Sequence, residues 1–499
     1  MLGSRFSLVV KWVTAIIYLN FSQSTFAQDS SARPNILLAI ADDWGWPQAG
    51  GHDDPVLETP TFDRLAREGV LFTHAFASSP SCTPSRAALL SGQWHWRLQG
   101  AANLWGTFPD DVPAYPELLQ ESGYEIGYAG KGYGPGFPQT RDRGIAGKRF
   151  KSFQHFLKQR DLEKPFCFWL GSADPHRGYD EGSGVKSGIN PTEIALPAAF
   201  PDVEAVRSDV ADYYWEVQRF DAHIGHAVTA LQRQGELENT IVVMTGDNGM
   251  PFPRGKSNLY DLGTQVPLVI CWPAGGLQSG KVVTDFANLT DLAPTFLQFA
   301  GLKPTTDMTG NSLAGLLLPT CKECDNHDRT FVLVGKERHV PSQEKPDWGG
   351  YPSRAIRTEK FLFIRNYRPE RWPNGTPNYE NAVVPGNWYA DTDNGPTKSH
   401  MITNRDKDAA HRRLYDLAFA KRPSEELYDL KLDSEQLNNV ADDPKYSKAK
   451  SRLSSLLTSQ LAATADPREN GGGEKFDQYP YLGSGPKHPD LAARRKQRQ

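Results

Sequence analysis

Three short apolar runs each break off into polar residues with chemistry to offer. NILLAIADDWGW (35–46) runs into Asp42 and Asp43, PFCFWLGSADPHR (165–177) into Asp174 and His176, and NTIVVMTGDNGMPFPRGK (239–256) into Asp247, Asn248 and Lys256. Unbroken apolar runs of this length predict strands buried on both faces, because a sheet with one wet face would show alternation. Between them the spacing turns helical. TPTFDRLAREG (59–69) has Thr59 or Thr61 as cap, Phe62, Leu65 and Ala66 on one side and Gly69 as stop, SDVADYYWEVQRFDAHIGHAVTALQRQG (208–235) closes on Gly235, and TDLAPTFLQFAG (290–301) carries Pro294 near its start. Strand and helix alternation over 35–300 predicts an α/β fold, a large and mainly parallel sheet between helices. In such folds ligand-binding groups gather beyond the carboxyl ends of the strands, where these polar residues fall.

The pattern changes after about residue 325. RTFVLVGKERHV (329–340), YPSRAIRTEKFLFIRNYRP (351–369) and EELYDLKLD (425–433) read as strands and turns without crossover helices, and AKSRLSSLLTSQLAA (449–463) as one amphipathic helix. These predict a smaller C-terminal antiparallel sheet with a helix on it. Beyond Pro467 the glycine, proline and charge content reads as a mobile tail, ending in the basic ARRKQRQ (493–499). The expected units are a leader at 1–27, a catalytic domain at 28–325, an α+β subdomain at 326–466 and a tail at 467–499.

The leader follows from Arg5 and Lys11, an apolar stretch over 12–21 and the small residues Thr25 and Ala27 around Phe26, the layout of a secretory signal. Its apolar part is too short to span a bilayer, and no later run has the roughly 20 apolar residues a spanning helix needs. An exported protein without stable membrane insertion is expected, in the periplasm, the medium or a lysosome. Losing Arg5 and Lys11 takes the formal charge from −4 to −6, which argues against a nucleic-acid partner. Of five cysteines, Cys167 and Cys271 lie in apolar runs as inert thiols. Cys321 and Cys324 form a C-x-x-C that reads as a local disulfide or plain thiols, since a metal site needs two more ligands.

Cys82 is different. In SPSCTPSRAALLSG (79–92), serine or threonine before Pro84 signals a helix start near Thr83 or Pro84, which puts Arg86 on the same side of the first turn as Cys82. Free N–H groups and a guanidinium fork there suit an anion. Asp42, Asp43, Asp247 and Asn248 are oxygen donors of the kind Ca²⁺ or Mg²⁺ prefers, and three crowded carboxylates need a cation. No histidine pair has a spacing that suits a transition metal.

These segments, with YAGKGYG (128–134), RGKSNLYDLG (254–263) and LTDLAPTFLQFAG (289–301), resemble the type I sulfatases of the alkaline phosphatase superfamily over nearly all of the mature chain. The resemblance implies an alkaline-phosphatase-like fold, Ca²⁺ (or Mg²⁺) held by Asp42, Asp43, Asp247, Asn248 and the residue at 82, and oxidation of Cys82 to Cα-formylglycine by a formylglycine-generating enzyme. The hydrated aldehyde then attacks sulfur with one hydroxyl and expels sulfate with the other. Arg86 and Lys131 match the groups that hold the diol, Lys256 the sulfate-binding lysine, and His176 the histidine near the leaving group, suited to general acid work. The family's G-K-x-H is here GKGY, so Tyr133 stands in the second histidine's place, as an altered proton donor or as an aromatic wall. Within the family, DNGMPFPRGKSNLY, ADPHRGY and LPAAFPDVEAVRSDVADYY are most similar to the branch that cleaves the sulfamate of N-sulfoglucosamine in heparan-type chains, although that branch carries arginine where Lys256 stands. A sulfated carbohydrate is the implied substrate, with Trp44, His95, Arg177, Glu337, Arg338 and His339 as candidate sugar contacts. An O-sulfatase on another polysaccharide, a phosphodiesterase of the superfamily and a non-catalytic glycan binder are the other readings.

Overall fold

The structure, a computed structural model, describes residues 33–52, 54–137, 144–318 and 329–491. The leader, the Cys321/Cys324 pair and the last eight residues, 492–499, lie outside them. Two sheets organise the chain. The larger has eight strands: β1 (Asn35–Ala41), β2 (Val70–Phe72), β4 (Glu125–Ala129), β5 (Lys148–Arg149), β6 (Phe166–Gly171), β7 (Thr240–Gly246), β8 (Leu268–Cys271) and β9 (Lys281–Val283). Their order is β5-β4-β6-β1-β7-β8-β2-β9, and only β8 is antiparallel to its neighbours. A two-stranded ribbon pairs β3 (Ala75–Phe76) with β10 (Ala287–Asn288).

Burial on both faces shows in the side chains. Ile36, Leu38 and Ile40 of β1 join one hydrophobic layer, while Leu37, Ala39 and Ala41 join the other; Ile241 and Val243 of β7 part from Val242 and Met244 in the same way. The 31-residue helix Glu204–Gln234 covers the second layer, with Val210, Val217, Phe220 and Ile224 inward and Gly235 in the left-handed conformation closing it. It begins four residues before the predicted start. The predicted helices after Thr59 and Thr290 form as Pro60–Glu68 and Leu292–Phe299.

The smaller sheet is antiparallel, β11 (Phe331–Lys336), β12 (Ser353–Thr358), β13 (Phe361–Asn366) and β14 (Glu425–Asp429) in that order. One face takes Leu453, Leu457 and Leu461 of the helix Ser447–Ala463, as the amphipathic pattern required. The other packs Val332, Val334, Leu362 and Ile364 on Phe76, Leu259, Tyr260 and Phe286. Two expectations are corrected. The segment between β13 and β14 is not free of helices, because it carries Pro396–Thr403 and Ala409–Phe419. Residues 467–491, read as a tail from their composition, pack instead: Phe476 is buried, and Arg338 donates to the carbonyls of Asp477 and Tyr479.

Candidate active site

Strand register assembles the site. Ala41 of β1 pairs with Gly246 of β7, so Asp42 and Asp247 emerge side by side one residue later. On the other flank Ile40 pairs with Gly171 of β6, and Leu170 pairs with Ala129 of β4. Four adjacent parallel strands therefore deliver Lys131, Asp174 and His176, Asp42 and Asp43, and Asp247 and Asn248 to one edge. The turn that brings Lys131 in requires glycine: Gly130 has φ +70°, and a Cβ there would lie 1.9 Å from the Gly171 carbonyl oxygen.

Cys82 is the first residue of the helix Cys82–Ser91, one position earlier than predicted. Its Sγ lies 3.3 Å from Asp42 Oδ1 and 3.9 Å from Asp43 Oδ1. Ligand atoms of Asp42, Asp43, Cys82 and Asp247 all fall within 4.8 Å of one another, and all four residues are buried. Arg86, also buried, donates to Asp247 Oδ2 at 2.7 Å and to the carbonyls of Lys131, Gly132 and Ala41. It locks the helix start to the strand ends. Lys131 Nζ is 2.5 Å from Asp42, and Lys256 Nζ is 2.8 Å from Asp43 and 3.3 Å from Asp393.

Asp43 adopts φ +71°, a left-handed conformation uncommon for a residue with a Cβ. Four groups hold it there: its N–H donates to Asp247 Oδ1, Asn248 and Lys256 donate to its carboxylate, and Tyr213 donates to its carbonyl. Burial, opposed by Lys256 and His176 but helped by Asp42 and Asp247, raises its carboxyl pKa. Burial would raise Asp42 too, yet Lys131, His176, Arg86 and Lys256 together hold it well below the usual carboxylate range. Burial first, then the charge of Asp42, pushes the Cys82 thiol up. Asn248 Oδ1 is buried without a hydrogen-bond partner, an acceptor that protein groups leave unused. That spare oxygen beside three carboxylates fits a hard divalent cation.

Asp42 and Cys82 present the cluster to a cavity of ≈ 700 Å³. His176, Arg177 and His339 line it, with Lys131, Lys256 and Cys82. His176 Nδ1 hydrogen-bonds the Arg177 carbonyl, leaving Nε2 3.8 Å from Asp43 Oδ2. Arg177 forks onto Asp209 at 2.7 and 2.9 Å and packs over Phe252. His339 Nδ1 meets Ser81 Oγ at 2.8 Å, and burial pushes its pKa down to about 3, so the ring is neutral near pH 7.

Other predicted contacts fall elsewhere. Tyr133 does not line the cavity; its hydroxyl donates to the Gly106 carbonyl and its ring packs edge-on against Phe108. Arg338 is spent on backbone carbonyls, Glu337 pairs with Arg354 and Arg468, His95 meets Ser78, and Trp44 donates to the Gln48 carbonyl. All four are buried framework. Asn288 and Asn374, each the asparagine of an N-x-T triplet, are also buried, with 3 % and 0 % exposure. Sequence reading missed Asp393, Trp105, Glu216 and Arg219, all on the cavity wall. Only the carboxylates and glycine of ADTDNG (390–395), in a stretch without strand or helix periodicity, hinted at Asp393.

A mainly parallel sheet with an acid cluster at its carboxyl edge and a helix N-terminus on that cluster defines an alkaline-phosphatase-like hydrolase. The chain belongs to the sulfatase family and is a sulfuric ester hydrolase: the Sulfatase profile matches residues 34–147 and 147–302, and that of the N-sulphoglucosamine sulphohydrolase C-terminal region matches 254–372. Among curated relatives, human N-sulphoglucosamine sulphohydrolase is 28% identical over 488 residues, 87% of this chain and 91% of that protein. An ulvan-active sulfatase of Formosa agariphila is 25% identical, over 87% of this chain and 76% of its own. Two solved structures share the fold. One is a protein in complex with its substrate D-glucosamine-2-N,6-O-disulfate (TM-score 0.62, 20% identity, 88% of this chain and 99% of that one). The other is the phosphonate monoester hydrolase of Agrobacterium radiobacter (TM-score 0.63, 18% identity, 87% and 97%).

Proposed function

We propose that the protein is an exported sulfatase that removes sulfate from sulfated glycans, with the sulfamate of N-sulfoglucosamine in heparan-type chains as its first candidate substrate, after Cys82 is converted to formylglycine. The observation that carries this is Cys82 Sγ 3.3 Å from Asp42 at the floor of the cavity. A buried thiol whose ionisation is disfavoured is a poor nucleophile, so the position makes chemical sense as a precursor. When present, the hydrated aldehyde supplies an oxygen nucleophile, and a divalent cation, Ca²⁺ by the oxygen donor set, supplies positive charge beside it. Asp42, Asp43, Asp247 and Asn248 would hold the cation, with position 82 facing it.

The remaining roles belong to the protein's own side chains. Arg86 and Lys131 fix the floor and place positive charge beside position 82. Burial alone would lower the Lys256 pKa, but Asp393 and Asp43 keep its ammonium charged, ready to meet sulfonate oxygens as charge grows on them. His176 Nε2 faces the cluster and can hand a proton to the leaving amine or alcohol, while its Nδ1 is tied to backbone. Arg177, anchored on Asp209, and His339 stand on the wall where a sugar would lie. The relatives' substrates support a sulfated saccharide: one neighbour binds a glucosamine disulfate, and the human relative is a sulphoglucosamine sulphohydrolase.

The test is chemical. Protein co-produced with a formylglycine-generating enzyme should yield a peptide spanning position 82 with an aldehyde mass and hydrazine reactivity, and should release sulfate faster than phosphate from matched esters. Comparing a glucosamine N-sulfate with O-sulfates then ranks the substrates. An unmodified thiol with phosphate release would move the protein to the phosphonate hydrolase side of the fold.

A further inference from the structure

A second cavity, ≈ 530 Å³, lies apart from the catalytic residues and carries a different balance of charge. Its wall holds five cations, Arg254, Arg412, Arg413, Lys421 and Arg422, against two carboxylates, Asp416 and Glu426. Among the described residues only Arg412 of these is ion-paired, with Asp406 and Asp416, and the other four make no salt bridge. They are nonetheless fixed. Arg254 donates to the carbonyls of Leu417 and Gln436 with its guanidinium 3.6 Å over the Tyr260 ring. Arg422 donates to Asn258 Oδ1, Arg413 to Asn438 Oδ1, and Lys421 Nζ sits 5.0 Å over Trp372. Glu426, which accepts from Asn366, Tyr260 and Tyr428, keeps its negative charge and partly offsets the neighbouring Arg422, so the wall still holds five cations against two carboxylates.

Positioned cations that outnumber the carboxylates around them, on a chain with net charge −4, call for an anionic ligand from outside. The volume suits a saccharide-sized ligand and far exceeds one small ion. Guanidinium forks match the oxygens of sulfo groups, which stay ionised at any working pH. We propose that this cavity is an accessory site for the sulfo groups of a glycan chain, separate from the catalytic cavity; this rests on the sulfated-glycan reading given above. The two cavities share one segment, for Arg254 lines the second and Lys256 the first. A long chain held here has its charge density anchored beside the loop that carries Lys256, which favours polymer over free monosaccharide.

The test separates binding from turnover. Full-length Cys82→Ala protein is titrated into a fluorescent, size-defined heparin hexasaccharide at several salt concentrations, alone and with Arg413→Glu plus Lys421→Glu. Both changed side chains are exposed, and the thermal midpoint checks that the fold is kept. The double reversal should weaken binding about tenfold and flatten its salt dependence. In protein with Cys82 intact, it should leave kcat/KM on a monosulfated monosaccharide unchanged while raising KM on the polymer. Lys421→Ala alone should show a smaller loss, which keeps the test valid if the double variant unfolds. Unchanged hexasaccharide binding overturns the proposal. Inorganic sulfate that competes as well as the hexasaccharide at equal concentration also overturns it, by assigning the cavity to a free anion. Binding is read without turnover, so an absence of sulfate release would count against the sulfatase reading and leave this result standing.

Discussion

Two buried charge networks were built from the same side chains to different ends. Behind the small sheet, the buried side chains of Arg354 and Arg468 meet those of Glu337 and Asp466, two buried charges of each sign with only the exposed Glu474 added at 3.6 Å from Arg468, and Arg354 spends its remaining donors on the carbonyls of Lys336 and Ser353. At the edge of the large sheet, Asp42, Asp43, Asp247 and Asp393 face Arg86, Lys131 and Lys256, four carboxylates to three cations, and the Asn248 oxygen has no partner. A balanced and saturated network is a clamp. One with a spare negative charge, a spare acceptor and an open cavity above it is made to receive a cation and an anionic substrate.

The largest effect should come from the open network. Cys82→Ala should lower sulfate release by at least about a thousandfold with the thermal midpoint almost unmoved, because a small side chain is lost at a cavity floor. A variant retaining a tenth of the activity would mean that position 82 is not the nucleophile. The closed network should answer in the opposite way. Asp466→Ala leaves the buried Arg354 guanidinium with Glu337 alone, a carboxylate it shares with Arg468, and should cost about 3–5 kcal/mol of stability, measured by urea unfolding, with sulfate release per folded molecule unchanged.

Sequence pattern made the open network legible, Asp393 apart, and hid the closed one. Asp42 and Asp247 sit one residue past unbroken apolar runs, and parallel strands that end in register must bring such residues together. Glu337, Arg338 and His339 follow the same signal at the end of β11, yet only His339 reaches the cavity. The difference lies in what packs behind them: Asp466, Arg468 and the carbonyls of 477 and 479 arrive more than a hundred residues later, and no local pattern announces that return. Tyr133 failed for a related reason. Its position in GKGY was aligned with a catalytic histidine, but Phe108 and the Gly106 carbonyl, from a separate loop, claim the ring and its hydroxyl. Of the helices between β13 and β14, Pro396–Thr403 escaped because it has no apolar stripe.

Metal removal should separate the networks next. A site occupied at about 100 times its Kd adds about 2.7 kcal/mol of stability, so chelation should lower the thermal midpoint by several degrees. Asp247→Ala should abolish that shift. Asp466→Ala should leave it intact on top of a lower starting point, since the two networks share no residue. A chelator shift that disappears in Asp466→Ala would show the networks to be coupled after all.

The smallest effect concerns a third cluster, on the cavity wall, which could belong to either type. Glu216 accepts from Arg219 at 2.8 Å, and Arg219 also reaches Asp174 at 3.5 Å, so one cation serves two carboxylates. Burial first, and the charge of Asp174 second, push the Glu216 carboxyl up to about 7 from an ordinary value of 4.5. Between those two pH values the folded chain keeps a proton that the unfolded chain releases. Stability from this group is therefore complete below pH 4.5 and is lost as pH rises through 7. Glu216→Gln cannot ionise and should flatten that decline by about 1–2 kcal/mol between pH 5 and pH 7.5, read from urea unfolding at the two pH values. If Glu216 were instead a saturated partner of Arg219, as Asp466 is of Arg354, the glutamine would weaken the fold equally at both. A pH-dependent difference places the cluster with the open network, where surplus negative charge waits for a cationic or hydroxyl-rich partner.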